Sequence, residues 1–259
     1  MTPDDLAALR RAVRSLEHPD LAARLTNMVG KPIELIGHVL PASASHAIAT
    51  ATSKGLVVAL KVALGTMQRT PHAGSQLLHK ALATTSGAAG GAFGLATLPI
   101  ELPVSTIIML RSIAYIARSE GEDLSDPESA LSCVQVFALG GRAGSADASS
   151  GYFAVRGMLA KSVTEAARFI AERGVIEEGA PVLVRFITQV ASRFGVVVTQ
   201  KVAAQALPVV GAVGGAAVNY AFIEHFQEVA RGHFTVRRLE RIYGKSVVRT
   251  EYERLAQGR

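Results

Sequence analysis

The stretch Val202–Ile223, VAAQALPVVGAVGGAAVNYAFI, carries no charge and then runs straight into Glu224-His225-Phe226-Gln227-Glu228. A run this apolar must leave water, and whether it enters a protein core or a bilayer decides the fold. As a membrane span its length suffices and its composition is poor. Its Val, Leu, Ile and Phe residues contribute roughly −2 to −5 kcal/mol on an insertion scale. Gln205, Pro208, three glycines and Asn219 work against that sum. A second Gly/Ala-rich stretch, Gly87–Leu110, holds Glu101 between Pro99 and Pro103. A carboxylate at a bilayer centre costs about 3 kcal/mol. Both stretches therefore read as buried helices of a core, where glycines four apart let backbones approach closely. A membrane-inserting helical protein is the competing reading.

Working outward, helix signals recur and strand signals do not. Thr2-Pro3-Asp4-Asp5 combines a capping Thr, Pro in the first turn and acids at the positive dipole end. Leu6, Leu9, Val13 and Leu16 follow at helical spacing. A second helix opens at His18-Pro19-Asp20 and closes at Gly30. Further helices are expected from Lys31-Pro32, over Ala42–Leu64 and from Thr70-Pro71. Pro99 and Pro103 are expected to interrupt or kink the next, with a helix from Pro103 to Ser119 closed by Gly121. Ser125 with Glu128 reads as a capping box for a helix reaching Gly140-Gly141. Arg142–Ser150 and Gly174–Pro181 read as loops. Tyr152–Glu172, Pro181–Ala206 and a helix ending near Tyr243, before Gly244, complete the set. The fold class is all-α, a single multi-helix bundle with the two Gly/Ala-rich apolar helices at its centre.

Hydrophobic residues make up 49% of the chain, yet aromatics only 5%, so small side chains in closely packed helices supply the apolar bulk. The net charge of +6 is uneven: Arg231–Arg259 holds eight basic and three acidic residues. That asymmetry points to an anionic surface, with Arg237, Arg238 and Arg241 as the lipid- or anion-binding candidates. A solvated helix face is the plainer alternative. Stacking aromatics do not interleave with these cations, so a nucleic-acid partner is not expected. One cysteine, Cys133, rules out an internal disulfide and fits a reducing compartment. The N-terminus has no basic n-region or apolar h-region. The expectation is a cytoplasmic protein, peripheral at the inner face of the membrane if it meets lipid.

Standard catalytic and phosphate-binding signatures are missing: no Gly-x-Ser-x-Gly, no phosphate loop, no dinucleotide fingerprint, no His-Glu-x-x-His. What remains is Glu224, His225 and Glu228, which project within ~100° of one another on a helix. Such a trio could hold a divalent metal; with Glu101 it would make a carboxylate/histidine site for a metal-dependent hydrolase. The alternative is a solvent-facing stripe with Glu224, Glu228 and Arg231 in helical pairing. His233 points away from Glu224 and needs another partner. Glu101 sits either at a helix N-terminus or against a buried cation, with Arg111 the nearest in sequence; a raised-pKa functional carboxylate is the sharper reading. Asn219, on an apolar helix, reads as satisfying a backbone group.

Several of these residues fall in segments that resemble the EcsC protein family. They are Glu101-Leu-Pro-Val-Ser-Thr, Leu110-Arg111-Ser-Ile-Ala, Asp126-Pro-Glu128 and Val136-Phe-Ala-Leu-Gly-Gly141. Pro208-Val-Val-Gly-Ala-Val-Gly-Gly215, Asn219, His225-Phe-Gln227 and the stretch Gly232–Gly244 continue the series in order. The resemblance divides the single domain into N-terminal helices (1–80), an EcsC-like core (81–244) and a basic C-terminal tail (245–259). It implies a bacterial, largely helical protein whose founding relative is encoded with an ABC transporter. A membrane surface, a lipid or a membrane transporter is then the expected partner, for an accessory protein rather than an enzyme. It brings no established catalytic residues. It places Glu101, Arg111, Asn219, His225 and His233 in family-like motifs as candidate ligand-binding positions.

Overall fold

The structure is a computed structural model that describes residues 1–17, 21–30, 42–66, 98–141, 151–173, 180–205 and 211–258. Among these residues there are nine helices and no strand. They are α1 (Pro3–Glu17), α2 (Leu21–Val29), α3 (Ala42–Thr66), α4 (Leu98–Ser119) and α5 (Pro127–Leu139), then α6 (Tyr152–Arg173), α7 (Pro181–Gln205), α8 (Gly211–Tyr243) and α9 (Lys245–Ala256). The all-α reading holds. The helices expected from Lys31-Pro32 and Thr70-Pro71, the loop at Arg142–Ser150 and the Gly87–Thr97 part of the first Gly-rich stretch lie outside the described residues.

Local chemistry sets the helix ends. Thr2 Oγ1 accepts the Asp5 N–H at 3.2 Å, the expected cap of α1. Gly121 and Gly244 stop α4 and α8 at φ +80° and +87°, a region that side chains with a Cβ rarely enter. Two expectations need correction. The α5 cap is Asp126, one residue beyond Ser125: its carboxylate accepts the Ser129 N–H at 3.0 Å and Pro127 fills the first helical position. Ser125 instead donates its own N–H to Asp123. Helix α4 begins at Leu98, and Pro103 lies inside it. Beyond that proline the hydroxyls of Ser105 and Thr106 both donate to the Leu102 carbonyl.

Helix α8 is the axis. Its 33 residues extend about 50 Å and pack against α1, α2, α4, α5, α7 and α9. Helix α5 is buried all round: each residue from Ser129 to Leu139 is out of solvent. Phe137, Phe194, Phe222 and Phe226 stack between α5, α7 and α8 with centroids 4.8–6.1 Å apart. Buried apolar side chains from Leu9 to Tyr252 form one contiguous core. Of the stretch Val202–Ile223, residues 206–210 lie outside the described ones. Val202–Gln205 ends α7, and α8 starts at Gly211. Among the described residues one helix is long and apolar enough to cross a membrane, by length and composition: α7, with mean hydropathy 1.4. Leu183, Phe186, Val190, Phe194 and Val197 of that helix are buried in the core. The segment read as a basic C-terminal tail is helix α9, anchored by Val248 and Tyr252.

Candidate functional site

Glu101 satisfies both halves of its expectation and corrects the partner. It lies in the first turn of α4, 7% exposed, and accepts from Lys201 Nζ of α7 at 2.6 Å. Arg111 is exposed on α4 and is not that partner. Lys201 is fully buried, and its ammonium lies 5.0 Å from the Phe222 ring centroid. Burial pulls the Lys201 pKa down, and the Glu101 carboxylate opposes that pull.

The Glu224-His225-Glu228 trio diverges. His225 turns inward and donates Nε2–H to the Gly140 carbonyl at 2.9 Å. Arg193 of α7 donates to the Ala138 and Gly141 carbonyls at 3.2 and 2.8 Å. Together the two side chains satisfy the carbonyls left over at the end of α5. Glu224 and Glu228 face α2, where Arg24 pairs with them at 3.7 and 2.8 Å. Differences of about 100° from Glu224 and 60° from Glu228 in helical phase send the histidine and the carboxylates to different neighbours. Among the described residues no group of three His, Cys, Asp or Glu side chains could hold a metal ion.

His233 has its partner in Tyr152, whose hydroxyl lies 2.9 Å from Nδ1. Burial, then Arg156 and Arg237, push the His233 pKa well down, so the ring is neutral. Asn219 is fully buried on α8.

The C-terminal arginines meet acids within the fold. Arg237 forms a fork on Glu122, both contacts at 2.9 Å, and Arg241 joins it. Burial would raise the Glu122 pKa; the hydrogen bonds and charge of Arg237, with Ser129 and Arg241, override it and hold the carboxyl at about 2. Arg238 bridges Glu120 at 2.8 Å and Asp5 at 3.1 Å. These cations hold α8 to the α4–α5 turn and to α1, and acids neutralise them.

Unbalanced positive charge sits elsewhere. A groove of ≈810 Å³ runs between α1, α2 and α8. Arg11, Arg14, Arg24, Arg231 and Arg238 line it with Glu120 and Glu228; acids meet Arg24 and Arg238, so the surplus rests on Arg11 and Arg14. Arg11 and Arg14 are exposed and form no ion pair among the described residues. Beyond Arg24 and Glu228, which line both, a shelf of ≈610 Å³ continues over Met28, Ala217, Tyr220 and Ala221, with Asn27 and Glu224 also in its lining. Met28 and Tyr220 are 47% and 40% exposed. Sequence reasoning missed Arg11, Arg14 and Arg24. The i,i+3 spacing of Arg11 and Arg14 was a signal, but only the packing of α1 on α8 makes it one wall of a groove.

An all-helical protein with a cationic groove continuing into a shelf of apolar and polar residues is the class these features define. The chain belongs to the EcsC protein family, whose family model matches residues 4–239. The match therefore reaches back through α1 and α2, well before the 81–244 core that the resemblance suggested. Comparison with curated proteins and with solved structures gives no match.

Proposed function

We propose that this protein is a non-enzymatic accessory factor that binds anionic lipid at a membrane surface through the groove between α1, α2 and α8. The observation that carries the reading is the continuity of an arginine-lined groove with a shelf that presents Met28, Tyr220 and two alanines beside Asn27 and Glu224. An anionic phospholipid has that pattern: a phosphate head and a hydrocarbon chain. Arg11 and Arg14 meet the head without breaking an ion pair among the described residues, and Met28 and Tyr220 meet the chain. Each basic side chain near an anionic surface contributes about 1 kcal/mol at moderate salt.

The test is co-sedimentation with phosphatidylglycerol-containing and pure phosphatidylcholine vesicles. Binding to the first alone, weakening as salt rises, is expected. Arg11→Glu/Arg14→Glu reverses two charges and is expected to reduce binding at least tenfold. Equal failure to bind both vesicles, or binding indifferent to the double substitution, sinks the proposal.

A further inference from the structure

A second cleft, of ≈340 Å³, opens between α5, α6, α8 and α9 and shares no lining residue with the arginine groove. At its floor is Gln135 of α5, only 4% exposed. Its side-chain amide makes no hydrogen bond with the described residues. An amide offers two donors and an acceptor to whatever enters the cleft.

The rim is cationic. Lys245, the first residue of α9, is exposed and forms no ion pair among the described residues, and α9 has no side-chain cap at that end. Arg249, one turn on, lies with its guanidinium 5.5 Å from the Phe153 ring centroid and is tied to Glu253 by an exposed pair. The walls are already matched. Arg156 forms a fork on Glu240 at 2.8 and 2.7 Å, and Arg237 is held by Glu122. Glu128 is the remaining carboxylate in the lining. Two cations at the rim above an amide with no partner among the described residues suit a ligand that is anionic at one end and hydroxylated at the other. The volume lies at the small end of the about 300–1,000 Å³ typical of ligand sites.

We propose that this cleft binds a compact hydroxylated organic oxyanion, with Lys245 and Arg249 holding the anionic head and the Gln135 amide pairing with a hydroxyl below it. The head is a phosphate ester or a carboxylate, and the two are separated by experiment. The site stands independently of the lipid groove. Calorimetric titrations are accordingly made on the full chain carrying Arg11→Glu/Arg14→Glu, which disables that groove. The probes are glycerol 3-phosphate, citrate and, as a neutral control, glycerol, at 0.15 M salt.

Saturable one-to-one binding of one anion, with none of glycerol, is expected, and the anion that binds identifies the head group. Adding Lys245→Glu is expected to weaken that binding more than tenfold while leaving the melting temperature unchanged, because Lys245 is exposed. Adding Gln135→Leu is expected to weaken it at least fivefold with no loss of stability, since the amide satisfies nothing in the fold. No saturable binding of either anion, or binding that survives Lys245→Glu, overturns the proposal. Should Gln135→Leu fail to fold, the Lys245→Glu arm still decides.

Discussion

At the residue scale, the buried Lys201–Glu101 pair shows what a single sequence can and cannot give. Glu101 stood out because a carboxylate among apolar residues needs a cation. Its partner lies 100 residues away, on a helix whose pairing with α4 no local spacing records. Removing one partner leaves a buried charge alone. Lys201→Met is therefore expected to destabilise the protein by about 3–5 kcal/mol, and Lys201→Met/Glu101→Leu to recover about half of that, read from urea unfolding midpoints. Glu122 gives a pH-dependent counterpart. Its carboxyl is held at about 2 in the fold against an ordinary 4.5. A depressed pKa contributes stability that is complete above the unfolded value and lost as pH falls through the folded one. Wild-type stability is expected to fall between pH 5 and 2. Glu122→Gln, about 2–4 kcal/mol less stable at pH 7, is expected to fall less steeply over that window. Parallel pH profiles for the two proteins refute the assignment.

At the element scale, helix limits were legible wherever a backbone rule applied: the Thr2 cap, the turn at Gly121, the stop at Gly244. Limits were misread where two local solutions competed. Asp126 took the cap from Ser125 because a carboxylate followed by proline fits the N-cap and first helical position together. Helix packing was the harder quantity, and Gly232 shows why. A Cβ there would sit 2.6 Å from Ser15 Oγ and 2.9 Å from the Leu16 side chain, because α1 lies directly against α8. Nothing in the sequence distinguishes this glycine from its neighbours until α1 is in place. Gly232→Ala must displace the Ser15 and Leu16 side chains of α1 and crowds the Ala12 carbonyl at 3.3 Å. A stability loss of about 1–3 kcal/mol is expected by thermal unfolding, together with weaker vesicle binding, since α1 carries Arg11 and Arg14. An unchanged melting temperature contradicts this packing.

Across the whole molecule, the uneven charge is legible as a number in the sequence, but which of its cations are met by acids is not. Arg237, Arg238 and Arg241 account for much of the C-terminal excess, and Asp5, Glu120 and Glu122 meet them from distant segments. Which charges remain free is a property of the folded chain, so the groove walled by α1 and α2 is legible only there. The same folding that hides those cations hides Cys133. It is fully buried on the all-buried α5, and burial raises its thiol pKa far above the usual range. A thiol reagent is expected to label Cys133 only through global unfolding, at a rate that follows stability. That gives one readout for two kinds of arginine. Arg237→Gln removes a fork from Glu122, so Cys133 labelling is expected to accelerate at least tenfold, while the folded fraction binds anionic vesicles within twofold of wild type. Arg11→Glu/Arg14→Glu alters exposed side chains with no ion pair among the described residues, so labelling is expected to stay within twofold while vesicle binding falls at least tenfold. If the effects exchange places, the C-terminal arginines are the lipid-facing cations after all, and the groove between α1, α2 and α8 is not.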